Sequence, residues 1–350
     1  KTPFYVGFTS GSTGLPKGFE RNHTSWVESL DICLSTFGDA AAQRILAPGR
    51  VSHSLFLFGM VLGLYSGAGV VVQEKFSAAQ TFQTLQQGET PCMVAVPSQL
   101  LLLLEVAHRK RVAPISQVQL ILISGARWMR QRTPELQALF PNARIVEFYG
   151  ASETSFMAWM DADAKAPAHA VGRPFANVDI EIRQPDAHGV GTIYVRSPML
   201  FDGYVGPQTD HTAALRDGDW LSVRDMGYLD EQGLLCLVGR ENRMIVTQGK
   251  NLFPEEVENV LQSHPHIAHA SVQGVADALR GQQVVALLHP RDELDATELA
   301  LWCREQLESY KVPRRFYICH DWSFTTSGKT DHITLSQQLS TQAPCLKPLL

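Results

Sequence analysis

The chain has 350 residues, of which 45% are hydrophobic and 19% are charged, so it can form a large core and more than one domain. Its formal net charge of −5 supplies no positive field of the kind that draws a protein onto nucleic acid or an anionic membrane, and we expect neither as a partner. The six cysteines are widely scattered and lack metal-finger spacing, which predicts reduced thiols and a cytoplasmic protein.

Short apolar or β-branched runs alternate with helical patterns in the first 160 residues, which predicts an α/β architecture with largely parallel strands. The most apolar stretch, 55–72, is broken by glycines and polar residues, so we predict a buried helix and a buried strand at 70–72 rather than a membrane span. Other strands are predicted at 4–9, 92–96, 119–124 and 144–150, and helices at 77–87, 97–111 and 133–140.

The pattern of predicted strands, helices and turns changes twice further along the chain. From 171 to 240, short strand-like pieces separated by Gly, Pro and Asp turns predict a small antiparallel sheet or distorted barrel. From about 243 to 335, strands mix with two helices, at 255–264 and 296–307, which predicts a compact α+β domain. We expect the last fifteen residues to form a loose tail.

The strongest local motif follows the first predicted strand. Its glycines let backbone N–H groups turn toward an anion, its hydroxyls add donors, and its lysine offers a charge for a polyphosphate. The alternative is a polar surface turn. The spacing differs from that of a Walker loop. The candidate phosphate-binding residues are Thr9, Ser10, Gly11, Ser12, Thr13, Gly14 and Lys17.

This segment resembles the signature loop T-S-G-[ST]-T-G-x-P-K-G of the adenylate-forming superfamily, which includes acyl-CoA synthetases, peptide-synthetase adenylation domains and luciferases. The resemblance implies activation of a carboxylic acid with ATP and Mg²⁺, with Thr13 among the catalytic residues. It also implies a large N-terminal α/β domain and a smaller, mobile C-terminal α+β domain.

Further motifs of the superfamily follow in order. Residues 148–153 resemble its Y-G-x-T-E motif, with Ser152 in place of the usual threonine. The resemblance implies that Tyr149 packs on the adenine and that Glu153 helps to hold Mg²⁺, a role that suits its carboxylate oxygens. A packed strand end and a helix cap are the simpler interpretations. The other residues implied beside the adenine and ribose here are Gly125, Ala126, Arg127, Gly150 and Ser152.

The block 217–245 matches the longest signature of the superfamily. By resemblance, Asp225 bonds both ribose hydroxyls and Arg240 also reaches the nucleotide. The usual Thr-Gly pair before this aspartate is replaced by Val223 and Arg224, which puts the local turn in question.

The joint between the domains is expected at Asn242, where relatives usually have Asp or Lys. The following residues resemble the loop that faces the acyl acceptor, with an unusual lysine; they are Gly249, Lys250 and Asn251.

Residues 310–313 and 325–329 resemble the last two motifs of the superfamily. We therefore assign Lys329 to catalysis of adenylation. Attack of a carboxylate on the α-phosphate brings two anions together, and a lysine lowers that electrostatic barrier. A solvated surface lysine is the alternative.

The acyl pocket of the superfamily is lined by residues after a histidine-containing turn and by strand ends near the adenine. In this chain, those positions are His53, Phe58, Gly59, Gly125 and Ala151. Their apolar character favours a fatty or aryl acid over an amino acid, although His53 is equally compatible with a core histidine.

The resemblance extends from Tyr5 to His332 and implies a core domain at 1–241, a mobile domain at 242–335 and a tail at 336–350. The long N-terminal segment of the superfamily is not in the sequence, which begins at Lys1, so we expect the natural N-terminus upstream. The predicted function is a carboxylic acid:CoA ligase using coenzyme A. The alternatives are an acid:carrier-protein ligase, an amino-acid adenylation domain, and an inactive nucleotide-binding fragment.

Overall fold

The computed structural model describes residues 2–9, 17–163, 165–167, 169–206, 210–213, 215–325 and 329–349. The chain divides into two compact units. The first holds the described residues up to Val223 together with Tyr228–Leu237, and the second holds Arg224–Gly227 and the described residues from Val238 onward.

The first unit contains most of the helices and strands. Up to Ala151 they are β1 (Pro3–Thr9), β2 (Lys17–Asn22), α1 (His23–Phe37), β3 (Ile45–Ala47), α2 (Ser54–Tyr65), β4 (Val70–Val72), α3 (Ala78–Gln86), β5 (Cys92–Ala95), α4 (Pro97–Lys110), β6 (Leu120–Ile123), α5 (Thr133–Leu139) and β7 (Arg144–Ala151). They continue with β8 (Ser155–Asp161), β9 (Ala170–Pro174), β10 (Asp179–Arg183), β11 (Gly191–Arg196), β12 (Gly203–Tyr204), α6 (Asp210–Ala213), β13 (Arg216–Asp217), β14 (Trp220–Leu221) and parts of β15 (Asp225–Leu229) and β16 (Leu235–Arg240).

A parallel sheet in the order β4-β3-β5-β6-β7 forms the centre of this unit. Its inner strands are continuous apolar runs because helices cover both faces. Val94 and Leu122 face a core shared with α1 and α2, whereas Met93 and Ile121 face a second core with α3, α4 and α5. This alternation follows from the two-residue period of a strand.

Two predictions for this unit need correction. The strand at 70–72 is not buried, because β4 is the edge strand of the sheet and Val72 is 40% exposed. The first predicted strand does not join the parallel sheet. It pairs with β2 as an antiparallel hairpin, and β12 adds a third strand to that separate sheet.

The antiparallel region predicted after residue 171 continues the main sheet beyond β7, through β8 and β9. It also contains the antiparallel pairs β10–β11, β11–β14 and β13–β14. The predicted α/β class is confirmed by this combination of a parallel sheet, covering helices and antiparallel strands.

The second unit is α+β. Its elements are β17 (Ile245–Thr247), β18 (Lys250–Leu252), α7 (Pro254–Gln262), β19 (Ile267–Asp277), β20 (Gly281–Pro290), α8 (Ala296–Gln306), β21 (Arg315–Cys319), α9 (His332–Ser340) and β22 (Leu346–Leu349). The strands form one sheet in the order β18-β17-β20-β21-β22, and β19 also pairs with β20.

The predicted loose tail is wrong for the described residues. Helix α9 extends into it, with Leu335 fully buried at its start, and β22 pairs with β21 in an antiparallel ladder. No helix in the described ranges is long and apolar enough to cross a membrane.

Candidate functional site

The phosphate-binding segment is a connection between two paired strands. Thr9 of β1 lies opposite Lys17 of β2, so the hairpin register fixes both ends of the intervening loop. The loop residues Ser10, Gly11, Ser12, Thr13 and Gly14 lie outside the described residues. The Lys17 ammonium lies 5.5 Å from the centre of the Tyr204 ring, within the range of a cation–π contact.

Tyr204 also connects this hairpin to the proposed magnesium ligand. Its hydroxyl donates a 2.6 Å hydrogen bond to Oε1 of Glu153, and the Glu153 carbonyl accepts a hydrogen bond of 2.9 Å from the Phe201 backbone. Tyr204 therefore orients the Glu153 carboxylate and contacts Lys17 on its ring face. Sequence reasoning missed this residue, because a two-residue strand has no periodicity that would mark it.

The described residues contain no cluster of three His, Cys, Asp or Glu side chains that would by itself hold a metal. Mg²⁺ is commonly bound through one or two carboxylates together with substrate phosphates and water. The half-buried Glu153, with its second carboxylate oxygen outside the Tyr204 hydrogen bond, fits that mode.

The residues proposed beside the adenine follow adjacent parallel strands. Gly125 and Arg127 follow β6, while Tyr149 and Gly150 end β7, so both sets lie at the carboxyl edge of the sheet where α/β proteins bind ligands. Burial lowers the pKa of Arg127, and repulsion from Arg130 lowers it further.

Two positions at this edge favour glycine for conformational or steric reasons. Gly125 has φ of +89°, and a Cβ there would lie 3.3 Å from Val96 and 3.8 Å from the His53 ring. A Cβ on Gly150 would lie 1.9 Å from the Ser155 carbonyl oxygen, because the β7–β8 hairpin closes tightly around Thr154. Ala126 is exposed, and Ala151 and Ser152 are half-buried in this turn.

The predicted acyl-pocket residues are only partly brought together. His53 caps α2, accepting a 3.3 Å hydrogen bond from the Leu55 backbone through Nδ1, and its ring lies near Gly125. Phe58 packs edge-on against Phe156 within the core, at 4.7 Å between ring centres. Gly59 faces β5 so closely that a Cβ would meet Val94 at 2.7 Å. The acyl pocket thus stays a prediction.

The ribose-binding candidate lies in the second unit. Asp225 is only 4% exposed and accepts a 3.0 Å hydrogen bond from Arg240, which is 55% exposed. Arg224 has φ of +63°, in the left-handed region that favours glycine. The signature of the superfamily has glycine at this position. The backbone of Arg224 therefore keeps a conformation that suits glycine, although the residue carries a side chain.

The proposed joint and acceptor loop are neighbouring turns. Asn242 is exposed in a short 3₁₀ turn, Glu241–Arg243. The β17–β18 hairpin then reverses through two residues with positive φ, Gln248 at +54° and Gly249 at +73°. Lys250 lies 4.6 Å above the Tyr310 ring, and Asn251 is exposed beside it.

Lys329 lies on the returning arm of a small hairpin. The Thr325 amide donates to the Lys329 carbonyl at 2.7 Å, and Phe324 pairs with Thr330. Residues 326–328 of the matched motif lie outside the described residues. Lys329 is exposed.

The sequence model of the family described as "AMP-binding enzyme" matches residues 1–205, and that of the "AMP-binding enzyme C-terminal domain" matches 256–329. The chain belongs to the AMP-binding enzyme family. The superfamily expected from the motifs is thereby confirmed.

Curated relatives of this AMP-binding enzyme are named as ligases. It is 39% identical over 333 residues to the uncharacterized acyl–CoA ligase YhfT of Bacillus subtilis, covering 93% of this chain and 67% of the relative. It is 31% identical over 326 residues to the putative long chain fatty acid-CoA ligase VraA of Staphylococcus epidermidis, covering 93% and 69%.

Solved structures also resemble this AMP-binding enzyme. The o-succinylbenzoate CoA synthetase MenE of Bacillus subtilis, in complex with its acyl-adenylate intermediate, aligns with a TM-score of 0.85 at 26% identity, covering 94% of this chain and 68% of that one. The amide bond synthetase McbA of Marinactinospora thermotolerans aligns at 0.83 and 28% identity, covering 95% and 68%. Two-domain enzymes of this kind agree with the expected fold.

Proposed function

We propose that this AMP-binding enzyme is an ATP-dependent carboxylic acid:CoA ligase. In the first half-reaction the carboxylate attacks the α-phosphate of ATP, forming acyl-AMP and releasing pyrophosphate. In the second, the thiol of coenzyme A attacks the acyl carbonyl, forming the thioester and releasing AMP. The 39% identity to an acyl–CoA ligase over 93% of this chain is the observation that carries the proposal.

The cofactor requirement follows from the same comparisons. MenE structures hold AMP, or ATP with magnesium ion, and share the fold over 94% to 95% of this chain. In this chain, the Thr9–Lys17 loop would hold the ATP phosphates and Glu153 a magnesium ion. Tyr204 orients that carboxylate before the ligand arrives, which lowers the ordering cost of binding.

The adenosine would be held at two places. We assign its ring to the edge formed by Gly125, Arg127 and Tyr149, and its ribose hydroxyls to Asp225. Arg240 donates a hydrogen bond to one oxygen of that carboxylate and so orients the group. Charge-assisted hydrogen bonds of this kind are about twice as strong as neutral ones.

Lys329 is assigned to the first half-reaction. Its ammonium would stand beside the α-phosphate and offset the charge that develops as carboxylate and phosphate approach. Thioester formation needs no such charge, so the lysine should leave the site before the thiol enters. We therefore propose a core domain at 1–241, a mobile domain at 242–335 and a joint at Asn242.

The acid is proposed to be fatty or aryl. The relatives include putative long chain fatty acid-CoA ligases and an indoleacetate–CoA ligase of Aromatoleum aromaticum, 30% identical over 349 residues. Coenzyme A is the favoured acceptor, and a carrier protein is the alternative. A cytoplasmic location remains a prediction; it rests on six scattered cysteines that are all free in the structure.

Acid-dependent exchange of pyrophosphate into ATP tests this proposal. We expect exchange with fatty or aryl acids and little with amino acids. Lys329→Ala should reduce exchange by at least about a hundredfold, the scale of removing one charge-stabilising group. Lys347→Ala, an exposed lysine of β22, is the matched control and should leave exchange unchanged. Exchange that needs no acid, or that survives in Lys329→Ala, would overturn the assignment.

A further inference from the structure

A cluster of charged residues around the buried Glu258 begins directly after the proposed joint. Arg243 is 18% exposed and donates to Glu255 at 2.9 Å and to Glu258 at 2.6 Å. Glu258 also accepts a 2.7 Å hydrogen bond from the Val272 backbone. Burial would raise the pKa of Glu258, but Arg243 lowers it below the ordinary value, so the carboxylate stays charged.

The fourth member of the cluster is a histidine from a distant part of the chain. Nδ1 of His332 lies 3.2 Å from Nη2 of Arg243 and 2.8 Å from Oγ of Ser271. Because a guanidinium only donates, Nδ1 must be the acceptor and any ring proton lies on Nε2. Burial lowers the pKa of His332 to about 4, with Arg243 adding to this effect and Glu258, 3.6 Å from Nδ1, opposing it, which agrees with a neutral ring.

His332 is also the anchor of the hairpin that carries Lys329. It is the first residue of α9, and its carbonyl accepts a 3.3 Å hydrogen bond from Gln273 of β19. The preceding residue, Asp331, closes the hairpin through a 2.9 Å backbone bond to Ser323 and caps α9 by accepting from Thr334. Only two residues, Thr330 and Asp331, therefore lie between Lys329 and the half-buried His332 side chain.

We propose that His332 is a positioning residue for Lys329, held in place by Arg243. The proposal rests on the function assigned to Lys329 above. Arg243 belongs to the same short turn as Asn242, so the Arg243–His332 contact joins the turn at the joint to the lysine hairpin. A rotation about residue 242 would then change the position of Lys329, because the turn and the hairpin would move as one body.

A merely structural role makes a different prediction. A buried polar cluster that only stabilises the unit would lower both half-reactions together with thermal stability when it is damaged. A positioning role affects chiefly the half-reaction that uses Lys329, because displacement of a catalytic group by about 1 Å costs up to about a hundredfold in rate.

The test compares three histidine variants of the full chain. His332→Ala removes the acceptor, whereas His332→Asn retains an oxygen near the place of Nδ1. His264→Ala is the matched control, since His264 is a 3% exposed histidine of the same unit that faces Glu298 and Trp302 instead. Each variant is measured by pyrophosphate exchange, by thioester formation from supplied acyl-AMP, and by hydrogen–deuterium exchange.

We expect His332→Ala to lose at least about tenfold in pyrophosphate exchange, to form thioester within about twofold of wild type, and to expose the Thr325 and Asp331 amides to faster deuteration. His332→Asn should recover most of the lost exchange, and His264→Ala should show no such split. Equal loss of both half-reactions, or unchanged deuteration at those two amides, would overturn the proposal. Lys329→Ala is measured in parallel to distinguish this failure from failure of the assigned function. If pyrophosphate exchange is unchanged in Lys329→Ala, the role assigned to Lys329 is itself wrong.

Discussion

At the scale of single residues, Asp225, the proposed ribose ligand, is a carboxylate whose orientation is set by the fold. Its side chain is 4% exposed and is held by Arg240, so little ordering remains when a ribose binds. The aspartate was recognisable from its signature block. The positive φ of Arg224 was not, because the φ angle of a non-glycine residue is set by the surrounding turn and leaves no mark in side-chain pattern.

Asp225→Ala should weaken ATP binding by about 2–4 kcal/mol, since two charge-assisted hydrogen bonds to ribose hydroxyls are lost. Titration calorimetry with ATP measures this directly. Asp219→Ala, an exposed aspartate in a nearby turn, serves as the control and should bind as wild type does. An unaltered affinity in Asp225→Ala would remove this residue from the nucleotide site.

At the scale of elements, β7 contains both proposed adenine-binding residues at its end and a buried ion pair in its middle. Glu147 in its middle accepts a 2.5 Å hydrogen bond from Arg130, and both side chains are about one-tenth exposed. Arg130 also donates to the carbonyls of Pro167 and Ala170. This pair fixes the segment between β6 and α5 against β7, close to the strand ends that carry Gly125 and Tyr149.

Arg130→Met should destabilise the protein by about 3–5 kcal/mol, because it leaves the Glu147 carboxylate buried without its partner. Arg144 and Asp161 form the matched exposed pair, with Arg144 also on β7, at 2.6 Å and 40% and 59% exposure. Arg144→Ala should cost less than about 1 kcal/mol. Urea unfolding measures the loss of unfolding free energy in both variants. Equal losses would mean that burial does not make the Arg130–Glu147 pair more important for stability than the exposed pair.

The sequence allowed the buried strands to be predicted but not their neighbours. Cys92–Ala95 and Leu120–Ile123 are unbroken apolar runs, which is what a strand covered on both faces requires. Val70–Val72 has the same composition and lies at the edge, since the position of a strand in the sheet depends on long-range pairing. The prediction of a loose tail was wrong for the same reason, because β22 forms only by pairing with β21.

The residues of the candidate site could also be predicted only in part. Its glycine, lysine and carboxylate positions were predicted because they lie in segments that resemble motifs of the superfamily. Tyr204 and the Arg243–His332 contact were missed because each joins segments about 50 to 90 residues apart, between Tyr204 and Glu153 or between Arg243 and His332. A single sequence contains no signal for such pairs.

At the scale of the whole molecule, we propose that the mobile domain at 242–335 serves the two half-reactions in turn. Asn242→Pro should freeze the proposed joint, because proline fixes φ and removes a backbone donor. We expect pyrophosphate exchange to be retained and thioester formation from acyl-AMP to fall by at least about tenfold. Equal loss of both would indicate damage to the fold, and no change in either would place the joint elsewhere.

We propose that this one chain converts an acid, ATP and coenzyme A into a thioester, AMP and pyrophosphate. The most direct measurement is mass spectrometry of the products after incubation of the protein with a fatty or aryl acid, ATP, magnesium ion and coenzyme A. We expect acyl-CoA and AMP in equal amounts, with acyl-AMP accumulating when coenzyme A is withheld. Formation of ADP in place of AMP, or the absence of both acyl products across fatty and aryl acids, would contradict it.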